Sequence, residues 1–235
     1  MSEVAVVHDV PRAAAELFLE ATAGAVAARG KAAVALTGGS TAAPLYRALS
    51  PSVPWQALQI FFTDERAVAP DDELSNYRIA RETLLSKVSE QQVHRMHGEA
   101  ADLDAEAARL AADLRATLGT PPRLDLVVLG LGPDGHILSL FAGVPSSGER
   151  GDDQLVRHVA APEHVEPHVA RLTLTPFLVV TARTVILQVT GAKKADVLAR
   201  ALKGPPDLVG CPAQWLRRAS GRVVVVCDSE AASQL

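Results

Sequence analysis

Cysteine, aromatic residues and excess charge are all scarce in this chain, and the scarcities narrow what it can be. Cys211 and Cys227 are its only cysteines. Far apart and without metal-ligand spacing, they read as two reduced thiols of a cytosolic protein, not as a disulfide framework or a zinc site. Aromatic residues make up 4% of the chain against 48% apolar residues overall, so apolar burial rests on aliphatic side chains. The net charge of −4 supplies no basic field for nucleic acid or an anionic membrane, and neither partner is expected. The first sixteen residues carry acids where a secretion signal would carry its basic region, and no apolar run reaches membrane-spanning length. A soluble cytoplasmic protein is the expectation. Repeats, heptads and low-complexity tracts are missing too, and 235 residues suit one α/β domain spanning 1–235.

What is present is an alternation of short apolar runs with helical periodicities. Asp9 and Pro11 signal a helix start, Ala14, Leu17, Phe18, Ala21 and Ala25 recur at helical spacing, and Gly30 suits its end. Buried strands are predicted over 32–36, 59–63, 126–129, 185–189 and 223–227, with shorter ones near 156–160 and 171–175. Helices are predicted over 42–49, 77–85 and 102–118, from Pro176, from Lys193 to Leu202, and over 212–218. The stretch 145–153, rich in Ser, Gly and charge, reads as a surface loop. Strands alternating with helices give a layered α/β sandwich.

Three strand ends carry chemistry. Leu124 to Gly143 reads LDLVVLGLGPDGHILSLFAG, a buried strand followed by a turn holding Asp134 and His136, where open α/β sheets bind ligands. Gly130, Gly132 and Gly135 fit the dinucleotide signature, but the motif falls mid-chain, Pro133 removes an amide, and the following helical run is short. The dinucleotide reading is therefore disfavoured. Thr37-Gly38-Gly39-Ser40-Thr41 between strand and helix suits an anion, held by unpaired amides and hydroxyls. The same stretch also fits a plain turn with Ser40 or Thr41 as N-cap. Asp64-Glu65-Arg66 follows a third strand and marks either a solvated loop or a site. Among seven histidines, the close pairs His94/His97 and His164/His168 lack a metalloenzyme pattern, so no metal is expected. A serine-hydrolase elbow is absent.

Four pieces in order, TGGST (37–41), FFTDERAV with SNYR (61–68, 75–78), GLGPDGHILSLFAG (130–143) and RLTLT with VTGAKKADVL (171–175, 189–198), resemble the 6-phosphogluconolactonases of the sugar-phosphate isomerase-like superfamily, which includes glucosamine-6-phosphate deaminase. The chain departs from the family's pattern at Leu138, at Ala142 and in the helix after RLTLT, which lacks an asparagine. The resemblance implies a three-layer α/β sandwich with a mostly parallel, Rossmann-like sheet flanked by helices. It also implies cofactor-free hydrolysis of 6-phospho-D-glucono-1,5-lactone, the second step of the oxidative pentose phosphate pathway, by a monomer or weak homo-oligomer. His136 would be the general base, as suits an imidazole with a reference pKa near ~6.5. Asp134 would orient it. Gly38, Gly39, Ser40, Asp64, Arg66, Arg171 and Lys193 would bind phosphate and sugar. The nearest alternative is a deaminase or isomerase of amino-sugar phosphates, which would need an acid shortly after the histidine where Ser139-Leu140-Phe141 stands. A non-catalytic sugar-phosphate sensor is a more distant one.

Overall fold

The computed structural model describes residues 2–144 and 154–235. The segment 145–153, read from the sequence as a surface loop, lies outside the described residues.

Seven strands form one parallel sheet in the order β1-β10-β9-β6-β2-β3-β5. In chain order these are β1 (Glu3–Val6), β2 (Ala32–Leu36), β3 (Leu58–Phe62), β5 (Val93–His94), β6 (Leu126–Gly130), β9 (Thr184–Val189) and β10 (Arg222–Cys227). β4 (Asp64–Arg66), β7 (Val156–Val159) and β8 (Arg171–Leu174) make a separate antiparallel sheet in the order β4-β8-β7. The helices are α1 (Val10–Arg29), α2 (Ala42–Ala48), α3 (Asn76–Thr83), α4 (Leu103–Leu118), α5 (Pro176–Thr181) and α6 (Ala195–Lys203).

The apolar runs of the central strands are continuous because both faces of the sheet are covered. Val34, Leu36, Leu126, Val128 and Ile186 pack with Ala14 and Phe18 of α1 and Leu45 of α2. Ala35, Val127, Leu129 and Leu187 pack on the other face with Leu110 and Leu114 of α4, Leu178 of α5 and Leu198 of α6. Local signals set the ends: the Asp9 carboxylate accepts from the Arg12 amide, and Gly30 closes α1 at a left-handed φ of 75°. The fold is thus a three-layer α/β sandwich around a parallel sheet.

Several elements differ from the sequence expectation: 212–218 is a 3-10 helix, the two-residue strand β5 was not expected, and two further differences bear on the site. Lys193 lies in a 3-10 turn, Ala192–Lys194, and α6 begins at Ala195. Asp64-Glu65-Arg66 is a strand, pairing antiparallel with β8 so that Arg66 stands opposite Arg171. Three residues are too few for periodicity to reveal a strand.

Candidate active site

Parallel strands end on the same side of a sheet, so the segments after β2, β3, β6 and β9 meet there. They enclose a cleft of about 460 Å³. It brings Gly38, Gly39, Ser40, Asp64, Arg66, Asp134, His136 and Arg171 together, although they are spread over more than half the chain. Lys193 is not among its walls; it is exposed, and Lys194 faces the cleft instead.

The turn after β6 is built to hold one imidazole. The Gly132 amide donates to the His136 carbonyl at 2.8 Å, and the Gly135 amide donates to the Gly132 carbonyl at 3.1 Å. The ring lies so close over Gly132 that a Cβ there would fall 2.0 Å from Nδ1. Gly135 holds a φ of 96°. Gly132 and Gly135 serve the histidine turn, while Gly130, the first glycine of the dinucleotide-like pattern, lies against Thr41. Asp134 Oδ1 is 2.5 Å from His136 Nδ1 and also accepts the His136 amide at 3.1 Å. Its Oδ2 accepts the Ala142 amide at 3.2 Å and lies 3.4 Å from His164 Nε2. Burial would raise the Asp134 carboxyl, but its bond to the His136 ring and that ring's charge outweigh it and hold the group well below the usual range. With Nδ1 committed to Asp134, Nε2 is the nitrogen left to exchange a proton. Leu138, two residues on, has a left-handed φ of 56° and lines the cleft, a conformation costly to a branched side chain.

Buried contacts from neighbouring segments fix the turn 37–41. Tyr46 donates to the Thr37 carbonyl from a fully buried ring. Gly38 is required by proximity: a Cβ there would sit 1.8 Å from Asn76 Oδ1. Asn76 is itself fixed by donating from Nδ2 to the Asp64 carbonyl at 2.9 Å. Thr41 occupies the N-cap of α2 without a side-chain capping bond, so its hydroxyl is free of the role a plain turn would give it. The amides of Gly39, Ser40 and Thr41 find no acceptor among the described residues. The corresponding turn after β9 is closed to anions, since Asp228 accepts the Gly191 amide and Glu230 the Ala192 amide.

Cations face this turn. The β4–β8 register sets Arg66 against Arg171, an arrangement of like charges that an anion would relieve. Arg66 Nε is buried without a partner, while Arg171 donates to the carbonyls of Val169 and Pro167 at 3.1 and 2.9 Å. Burial and the neighbouring Arg66 both push the Arg171 guanidinium down from its ordinary value. Lys194 donates to the Leu131 carbonyl at 2.6 Å; burial lowers its ammonium and Asp134 pulls it the other way. Asp64 accepts from Ser139 Oγ at 2.7 Å and from Thr63 Oγ1 at 3.1 Å.

Several groups of the cleft are not singled out by the sequence alone. Lys194 is one residue from Lys193, in a two-lysine motif where only the turn geometry separates the pair. Asn76 and Ser139 lie inside motifs already quoted. Gln188 and His164 also line the cleft: Gln188 is marked as a lone amide in an apolar strand, and His164 only as half of the His164/His168 pair. Among the described residues no cluster of three or more His, Cys, Asp or Glu side chains is arranged to hold a metal ion.

Residues 7–225 match the family described as glucosamine-6-phosphate isomerases/6-phosphogluconolactonase. The chain is 38% identical over 237 aligned residues to the 6-phosphogluconolactonase of Mycobacterium tuberculosis, covering 95% of this chain and 93% of that protein. It is 35% identical to the Synechocystis 6-phosphogluconolactonase, covering 90% of this chain and 88% of that protein. Among solved structures, 6-phosphogluconolactonase from Trypanosoma cruzi superposes with a TM-score of 0.88 at 30% identity, covering 100% of this chain and 97% of the other.

Proposed function

Because the chain belongs to the glucosamine-6-phosphate isomerase/6-phosphogluconolactonase family, we propose that it hydrolyses 6-phospho-D-glucono-1,5-lactone to 6-phospho-D-gluconate with His136 as general base. The observation that carries this reading is the Asp134–His136 pair at 2.5 Å, set in the same cleft as an anion turn and three cations. His136 Nε2 takes a proton from water as the water oxygen attacks C1. The C1–O5 bond then breaks, and the imidazolium returns the proton to the departing ring oxygen. Asp134 keeps Nδ1 protonated and stabilises the imidazolium. The amides of Gly39 to Thr41 with the hydroxyls of Ser40 and Thr41 bind the phosphate, Gly38 giving the turn its close approach. Arg66, Arg171 and Lys194 supply positive charge, Lys194 and not the exposed Lys193 reaching the cleft. Asp64, oriented by Ser139, holds sugar hydroxyls. The reaction belongs to the oxidative pentose phosphate pathway in the cytoplasm.

The test is direct. The lactone is generated enzymatically from glucose 6-phosphate, and acid release is followed above the spontaneous rate, with glucosamine 6-phosphate as the control substrate. Accelerated lactone hydrolysis with no ammonia from the amino sugar supports the reading; the reverse pattern would replace it with a deaminase.

A further inference from the structure

Gln188 is 1% exposed, and its Nε2 is buried with no hydrogen-bond partner. Buried amide donors are almost always satisfied, and an apolar side chain of the same size would be the more stable occupant of a central strand. Its neighbours Leu187 and Val189 are such residues.

The register shows what the amide is near. Gln188 stands opposite Gly130 of β6, and strand alternation puts it on the same face as Ile186, the layer of α1 and α2. A Cβ on Gly130 would come within 3.2 Å of Thr41 Oγ1, so the Thr41 hydroxyl and the Gln188 carboxamide flank the same bare backbone. Lys194 reaches the next carbonyl, that of Leu131. All of these line the cleft. The side chains gathered around Gly130 therefore offer donors: a hydroxyl, an ammonium and a carboxamide. A phosphate monoester, with its several acceptor oxygens, matches such a set.

We propose that Gln188 is a further binding residue of this cleft, donating from Nε2 to a phosphate oxygen of the sugar phosphate. The inference rests on the reading of the cleft as a sugar-phosphate site. It adds beneath the phosphate a neutral donor that does not itself titrate.

Gln188→Met keeps the shape and removes the donor; Gln188→Glu keeps the shape and turns an acceptor toward the phosphate. Dissociation constants for 6-phosphogluconate and for inorganic phosphate are measured by calorimetry on each variant, with Tm alongside. The expected result is roughly tenfold weaker binding of both ligands in the Met variant, with Tm unchanged or raised, and roughly a hundredfold in the Glu variant. Unchanged affinities overturn the proposal. So does weakening confined to 6-phosphogluconate, which would put the amide on the sugar. A Tm lowered in the Met variant with binding intact would make Gln188 structural and overturn it too. If the Met variant does not fold, the Glu variant decides by the same affinities. Product binding needs no turnover, so a wild-type chain without lactonase activity would sink the proposed reaction while leaving this test readable.

Discussion

Asp134 Oδ1 stands 2.5 Å from His136 Nδ1 and accepts the backbone amide of the same residue at 3.1 Å. One carboxylate oxygen thus fixes both the ring and the turn that carries it, and the second oxygen meets His164 and the Ala142 amide. Asp134→Asn retains the shape but not the charge that stabilises an imidazolium. It is expected to lower kcat by about two to four orders of magnitude while changing KM only a fewfold. Steady-state kinetics on the folded variant check this; a rise in KM at constant kcat would make Asp134 a substrate ligand instead.

Gly132 offers a test that leaves every polar group in place. Its backbone does not require a positive φ, so Gly132→Ala is tolerable to the chain, but the new methyl enters the space of the imidazole. The ring has to swing away, and kcat is expected to fall at least about a hundredfold with a modest loss of Tm. Full activity in this variant would mean that the ring position seen here is not the working one.

Lys193 and Lys194 make a matched pair one residue apart. Lys194→Ala is expected to raise KM by about tenfold or more, since charge on a phosphate acts in ground and transition states alike. Lys193→Ala, on the exposed side of the turn, should behave as wild type. Equal effects would show that the turn is reshaped when substrate binds.

The sequence carried most of the fold, because continuous apolar runs separated by amphipathic helices have few solutions other than a covered parallel sheet. It also carried the four motif segments that meet in the cleft. What it lacked was angular information. Lys193 and Lys194 differ only by position on a 3-10 turn, and β4 is too short to announce itself. The contact of Gly38 with Asn76 spans segments 38 residues apart, and nothing in either segment names the other. Gln188 was visible as a polar interruption, but its meaning depends on Gly130 lying across the ladder.

Away from the cleft, Glu106 is expected to contribute a pH-dependent share of the stability. Burial would raise its carboxyl, but the Arg109 guanidinium and the amide and ring of His97 outweigh that and hold it at about 2. A depressed carboxyl stabilises the fold above its unfolded value of 4.5, and the stabilisation is lost as pH falls from there through about 2. Because Arg109 and His97 are both partly exposed and screened by solvent, Glu106→Gln should cost only on the order of 1–2 kcal/mol at neutral pH, or roughly 3–6 °C in Tm, with the gap to wild type closing toward pH ~2. Thermal melts across that range check it; a gap that stays constant with pH would remove the ion pair as the cause.

The proposed reaction depends on His136 activating the attacking water. The measurement that reaches it most directly is kcat of His136→Ala on enzymatically generated 6-phosphogluconolactone, with 6-phosphogluconate affinity measured on the same preparation. The expected result is a kcat lower by about two to four orders of magnitude with product binding retained. Turnover near wild type in a folded, ligand-binding variant would contradict it.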